Sequence, residues 1–288
     1  MPKPLSVRIK QKSQRIYKIT CRAFYNLGHR PAAPTRAVFV FGSHRSGTRL
    51  PMDVFSRSLD VMTYKEGNSR AFNRNLLKDK ADIAELLRRS SFPVVAFKPS
   101  CESYRAAELL DYFPDGKAVW IFRYFKDAVN SAARKWGHGR KNLRQIAAGN
   151  LAAAGWRAGG LTPDKIALVQ RLYDEEMSSH AAHALMWYLQ NHLFLDQKLF
   201  QRSAVLQVKY EDLVSRPQEQ FRRVFDFIGI PFQDKYVDEV YDSSIRKESF
   251  PPIPPEIEAL CEDLYQRLVA HYNRTATTTP PRPRAVAL

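Results

Sequence analysis

Cysteine is scarce in this chain of 288 residues: only Cys21, Cys101 and Cys261 are present. An odd number of widely separated thiols fits neither a disulfide framework nor the paired spacing of a zinc site. A reducing compartment follows, and the protein is expected to be cytoplasmic. Long apolar runs are also missing. No stretch approaches the roughly 20 residues that span a bilayer, and the N-terminus has no apolar signal-like segment. Acidic residues are absent from residues 1–36, which carry nine Lys/Arg. The whole chain has 45 Lys/Arg against 29 Asp/Glu, a formal charge of +16, so the remainder holds 36 basic residues against those 29 acids. The body is therefore mildly basic, as suits an anionic ligand, and a basic arm precedes it. A nucleic-acid binder would interleave basic residues with exposed aromatics on one element. Here the aromatics follow strand and helix periods, and no nucleic-acid partner is expected.

Within the arm, Ile16, Ile19, Ala23, Phe24 and Leu27 recur at helical spacing with basic residues between them. That pattern describes a helix packed on the body with a solvated cationic face. It equally describes a basic amphipathic helix that brings residues 1–30 into peripheral contact with a membrane. Beyond it lie apolar, β-branched or aromatic runs of the kind that form buried parallel strands: "AVFVFG" (37–42), "FPVVAFK" (92–98), "KAVWIFR" (117–123), "SAVLQVKY" (203–210) and the weaker "LDVMTY" (59–64). Helical patterns separate them, over 48–58, 71–90, 102–113, 126–136 and about 164–201. Strands alternating with helices imply a three-layer α/β/α architecture around a central parallel sheet. The stretch Gly137 to Gly160 shows little hydrophobic period and is expected to be a mobile insertion. "SFPPIPPEIEAL" reads as a rigid turn into a last helix, with Pro255 and Glu256 in its first turn. The tail, 274–288, has too little hydrophobicity to fold.

The stretch "VFVFGSHRSGTRL" (38–50) is a strand, a Gly-x-x-x-x-Gly loop and a helix start. This P-loop-like geometry aims backbone N–H groups at an anion. A nucleotide kinase would need Gly-Lys-Ser/Thr at the loop's end and a metal-binding Asp after an apolar strand. The loop has Gly47-Thr48-Arg49 instead, and no strand carries that Asp. A serine-hydrolase elbow would need glycine where His44 stands.

Three motifs resemble those of the sulfotransferases that use 3′-phosphoadenosine 5′-phosphosulfate (PAPS). "FGSHRSGT" matches the strand-loop signature Gly-x-x-[Lys/Arg]-Ser-Gly-Thr. "VWIFRYFKDAVNSAARKW" places Ser131 eight residues after Arg123, and "VKYEDLVSRPQEQFRRVFDFIGIPF" (208–232) has the Tyr-Glu-Asp-Leu, Pro and Phe-x-Gly-x-Pro features of the third. The resemblance implies a sulfotransferase domain over 37–273, after the arm and linker 1–36, with the insertion 137–180 beside the acceptor site. It implies in-line transfer of a sulfuryl group from PAPS, as co-substrate and without a required metal, to a hydroxyl or amine. The acceptor class is a small molecule, a carbohydrate or a lipid. Arg45, Ser46, Gly47 and Thr48 would hold the 5′-phosphosulfate, with Arg49 departing from the usual Thr. Arg123 and Ser131 would grip the 3′-phosphate, joined by Lys247 and its neighbour Arg246.

One branch of the family places a catalytic histidine just after the lysine that ends a strand. Here Lys98 is followed by Pro99, Ser100 and Cys101, with no histidine. Other branches use a glutamate after the second strand, and Glu66 occupies that position. The expected catalytic set is Glu66 as base, Arg45 for the developing charge, and Lys98 on the sulfuryl oxygens. Alternative readings of Glu66 and Arg123 are a loop carboxylate paired with Lys65 or Arg70, and a surface cation paired with Asp127. His44 is a candidate for contact with nucleotide or acceptor, and His138 with acceptor. His180, His183 and Glu176 have metal-like spacing but no fourth ligand. Trp187 and Asn191, one turn apart, suit packing and capping. Rival functions are a Mg²⁺-dependent kinase with an atypical P-loop, a donor-binding protein without a working base, and a non-catalytic binder of anionic membrane or nucleic acid.

Overall fold

The computed structural model describes residues 34–137, 139–240 and 252–277, together with 13, 16–22 and 24. His138, Arg246, Lys247, most of the arm and residues 278–288 lie outside the described residues.

The apolar runs form one parallel sheet. Its strands are β1 (Arg36–Gly42), β2 (Val61–Lys65), β5 (Val94–Lys98), β6 (Lys117–Phe122) and β7 (Val205–Lys209), in the order β2-β5-β1-β6-β7. A short antiparallel hairpin, β3 (Phe72–Asn73) with β4 (Leu76–Leu77), stands apart. The sheet's runs lack polar alternation because both faces are covered. Ala37, Phe39 and Phe41 of β1, with Trp120 and Phe122 of β6, enter one core that includes the helix Ser179–Asp196. Val38 and Val40, with Val119 and Ile121, enter the other, against Phe221 and Phe225 of the helix Pro217–Ile228. In β1 and β6 the aromatic side chains lie on one face and the β-branched ones on the other. The result is the expected three-layer α/β/α arrangement with a central parallel sheet.

Several local expectations need correction. Residues 71–90 are not one helix: the hairpin occupies 72–77, and only Lys80–Arg88 is helical. Gly67 N–H bonds back to Arg74 O and Lys78 N–H to Ala71 O, while buried Glu102 accepts from Leu77 N–H. Phe72 and Leu76 have the i, i+4 spacing of a helix face, but the hairpin pairs Phe72 with Leu77, buries both and leaves Leu76 exposed. The long stretch from 164 splits into Pro163–Leu172 and Ser179–Asp196, the second capped by Ser178 Oγ accepting from Ala181 N–H. The insertion 137–180 is helical, as expected, but its first part carries a buried apolar pair that the weak hydrophobic period did not suggest. It contains the helices Arg140–Ala147, with Leu143 and Ile146 fully buried as an i, i+3 pair, and Leu151–Ala154, with Ala154 buried. The final helix, Pro255–Thr277, runs past Asn273, so residues 274–277 of the expected tail are helical.

The N-terminal helical residues reverse one of the two expected arrangements, the packed helix with a solvated cationic face. Lys18 is buried, and its Nζ donates to Val61 O at 2.6 Å and Ser56 O at 3.1 Å. Burial lowers its pKa to about 8, against the pull of Asp60. Arg22 pairs with Asp60 and donates to Ser91 O. Lys18 and Arg22 face the body, while Ile16, Tyr17, Ile19 and Phe24 are exposed. Among the described residues no helix is long and apolar enough to cross a membrane.

Candidate active site

The C-terminal ends of β1, β5 and β6 converge where ligands sit in open parallel sheets. From β1 the chain enters the loop Ser43–Thr48. Arg45 sits at φ +65°, a left-handed conformation that costs a non-glycine residue energy and clusters at functional sites. Gly47, at φ +89°, lies so close to Tyr210 that a Cβ would come within 2.1 Å of its ring. Ser46 is fully buried beside Ser43, and their hydroxyls hydrogen-bond.

Two guanidinium groups meet over this loop. Arg45 Nε donates to Ser131 Oγ at 2.9 Å, from the helix Phe125–Trp136 that follows β6. Arg123, at the end of β6, donates from Nη1 to Arg45 O at 3.4 Å and lies 4.6 Å from the Tyr210 ring centroid. It is buried, with Asp127 Oδ2 4.0 Å away, so it is no surface cation. Burial, then the Arg123 charge, pushes the Arg45 pKa down. Two cations held this way favour a ligand of opposite charge.

Beside them runs a polar chain. Lys98, ending β5, places Nζ 2.5 Å from Glu66 Oε2 and 2.9 Å from Ser100 Oγ. Ser100 Oγ in turn lies 3.3 Å from Thr48 Oγ1 in the loop. Lys98 reaches Glu66 because β2 and β5 are parallel neighbours with Lys65 opposite Lys98. Glu66 thus pairs with Lys98, across the strands, while Lys65 pairs with Asp53. Its Oε1 is buried, with no hydrogen-bond partner among the described residues.

The remaining sequence candidates are distributed around this centre. Arg49 turns away to pair with Asp53 on an exposed helix face, apart from Ser46, Gly47 and Thr48. The His44 ring is enclosed between Trp136 and Trp156, with ring centroids 5.4 and 4.8 Å away, while its backbone N–H donates to Gln190 Oε1. Burial, reinforced by Lys98, Arg157 and Arg45, depresses its pKa to about 3. His183 lies against Trp136 and Gly137 O, and no metal-binding group of His, Cys, Asp and Glu occurs among the described residues. Asn191 Nδ2 donates to Trp187 O within the helix, a packing and capping contact. Lys247 lies outside the described residues.

Residues that sequence reasoning did not single out complete the surroundings. Tyr210 carries Arg123 and blocks a side chain at Gly47. Trp136 lies 5.7 Å from the Arg45 guanidinium, and Trp156 and Arg157 line a narrow cavity next to the loop. The tyrosine stood in plain view in "YEDL", but nothing local marks it as a partner of Arg123.

No curated protein matches this sequence. Among solved structures, it is similar to the sulfotransferase domain from the curacin biosynthetic pathway (TM-score 0.50, 16% identity, covering 82% of this chain and 99% of that one). It is also similar to the sulfotransferase domain of the Synechococcus PCC 7002 olefin synthase (0.46, 17%, 88% and 99%). A third is a sulfotransferase from Alicyclobacillus acidocaldarius (0.48, 15%, 87% and 98%). At these identities the likeness is one of fold. Residues 52–234 match the family model described as "Sulfotransferase family", a match that begins just after the loop. It spans more than half of the chain, and the chain belongs to the sulfotransferase family.

Proposed function

We propose that this sulfotransferase uses PAPS and moves its sulfuryl group, by in-line displacement, onto a hydroxyl or amine of a small-molecule, carbohydrate or lipid acceptor. The observation that carries the reading is the convergence of Arg45, Arg123 and Ser131 on the loop Ser43–Thr48. Two neighbouring guanidiniums and a hydroxyl suit a ligand with phosphate at two positions. The donor supplies an activated sulfuryl group on a phosphate leaving group. Arg45 and the loop's Ser46, Gly47 and Thr48 hold the 5′-phosphosulfate and balance charge as it grows on the leaving oxygen. Arg123 and Ser131 hold the 3′-phosphate.

Glu66 takes the acceptor's proton as the new oxygen–sulfur or nitrogen–sulfur bond forms. The bond from sulfur to the 5′-phosphate oxygen breaks, and its electron pair leaves with the phosphate. Lys98 compensates the charge of Glu66 through Oε2, leaving Oε1 to receive the proton. Its ammonium also orients the sulfuryl oxygens.

Calorimetric titration with 3′-phosphoadenosine 5′-phosphate (PAP), the donor's product, in EDTA tests this reading. Tight binding is expected, weakened roughly ten- to hundredfold in Arg45→Ala and Arg123→Ala, the range for a lost charge-assisted hydrogen bond. Absence of PAP binding, with ATP·Mg²⁺ bound instead, overturns it.

A further inference from the structure

Beside the loop lies a cavity walled by Gly42, Ser100, Tyr104, Trp156, Arg157 and Leu193. Gly42 is the last residue of β1, and Ser100 touches both Thr48 and Lys98. Ser100 is therefore the part of the wall that contacts both the loop and the Lys98 ammonium, which in turn pairs with Glu66. Its enclosed volume is about 10 Å³, room for one water. The narrowness comes from the segment Gly155–Leu161 closing on Tyr104. A Cβ on Gly159 would come within 2.5 Å of the Tyr104 ring, and one on Gly160 within 2.8 Å of its Cβ.

Arg157 is the unexplained charge in this wall. Its guanidinium stacks on Trp156, 4.1 Å from the ring centroid. Among the described residues it forms no hydrogen bond and no ion pair. Burial pushes its pKa down, and its one favourable electrostatic partner is Cys101. The Cys101 thiol, raised to about 12 by burial, carries no charge near neutral pH. The nearby acids are already engaged: Glu66 by Lys98, and Glu102 by Arg105 and the Leu77 N–H. Stacking covers one face of the guanidinium and leaves its N–H groups, which lie in the plane, free to pair with a ligand.

We propose that Arg157 receives an anionic group of the acceptor, and that the enzyme sulfates hydroxy acids: a carboxylate on Arg157, a hydrocarbon body against Leu161, Leu189 and Leu193, and the hydroxyl toward Glu66. This rests on the donor reading above and specifies its acceptor. A carboxylate matches the planar fork in two parallel hydrogen bonds. The three leucines favour a hydrocarbon body over a highly hydroxylated sugar, whose hydroxyls would find no partners against them. Acceptor binding displaces the segment Gly155–Leu161 from Tyr104, since the closed cavity is too small for it.

The test separates this inference from the donor reading. PAP is titrated into wild type, Arg157→Gln and Arg157→Lys; equal affinity in all three is expected, and no binding in any of them is a failure of the donor reading. Transfer from labelled PAPS is then measured with a series of ω-hydroxy acids of increasing chain length, their amides and their phosphate monoesters. The acids are expected to exceed their amides in kcat/KM by about ten- to hundredfold. Arg157→Gln should erase that preference and Arg157→Lys retain part of it. A preference for phosphate esters that depends on Arg157 overturns the carboxylate assignment. Equal use of acids and amides overturns the anion site. So does an acid preference that survives in Arg157→Gln, or transfer to no member of the series by protein that binds PAP.

Discussion

Lys98 Nζ lies 2.5 Å from Glu66 Oε2, joining the end of one strand to the loop that leaves its parallel neighbour. Each side chain neutralises the other, and the free carboxylate oxygen faces inward. Removing the carboxylate should therefore separate chemistry from donor binding. Glu66→Gln is expected to lower kcat by about 10²-fold or more, the usual scale for a lost general base, with PAP affinity essentially unchanged by calorimetry. Lys98→Met should lower turnover too. Normal turnover in Glu66→Gln would return the proton acceptor's role to another group.

Gly47→Ala tests the fit between the loop and Tyr210. A methyl group there meets the ring at 2.1 Å in a conformation L residues rarely adopt. The backbone conformation alone costs on the order of 1–3 kcal/mol, and the collision adds to it. A lowered midpoint in thermal unfolding and loss of PAP binding are expected together.

His44 makes stability depend on acidity. Its folded pKa of about 3 lies well below the ordinary imidazole value of 6.5. Between those values the unfolded chain binds a proton that the folded protein refuses, so stability is present above pH 6.5 and is lost as pH falls toward 3. The slope from this one group is at most about 1.4 kcal/mol per pH unit. Denaturant midpoints measured from pH 7 to 4 should fall more steeply in wild type than in His44→Asn. Parallel curves would show that the imidazole titrates normally.

Leu143→Ala tests whether the segment after Gly137 belongs to the core. Leu143 is fully buried. Its truncation is expected to cost about 2–5 kcal/mol, as for other core leucines, read from urea midpoints. A mobile insertion would lose almost nothing.

The legible part of this protein was whatever repeats locally. The five strands stood out because burial on both faces makes each a continuous apolar run. The loop and the Arg123–Ser131 spacing could be read because a strand, a turn and a helix fix them within one supersecondary unit. The hairpin at 72–77 was hidden because Phe72 and Leu76 have the i, i+4 spacing of a helix face, although Leu76 is exposed. Its turn is decided by long-range pairing with Glu102. The Glu66–Lys98 pair was invisible as a pair because it depends on the β2–β5 register. Arg157 carried no local signal at all: its significance comes from what surrounds it, Tyr104 from one connection and Gln190 from another.

The buried Lys18 has a consequence for how copies of this protein coexist. β2 is an edge of the sheet, and an edge offers unpaired backbone groups to any passing strand. Lys18 occupies the Val61 carbonyl on that edge, and Arg22 claims Asp60 and Ser91 nearby. The basic residues thus act as a selvedge. They cover the start of this edge with cations, a device that works against strand-to-strand pairing and is quite separate from anything done at the other end of the strands.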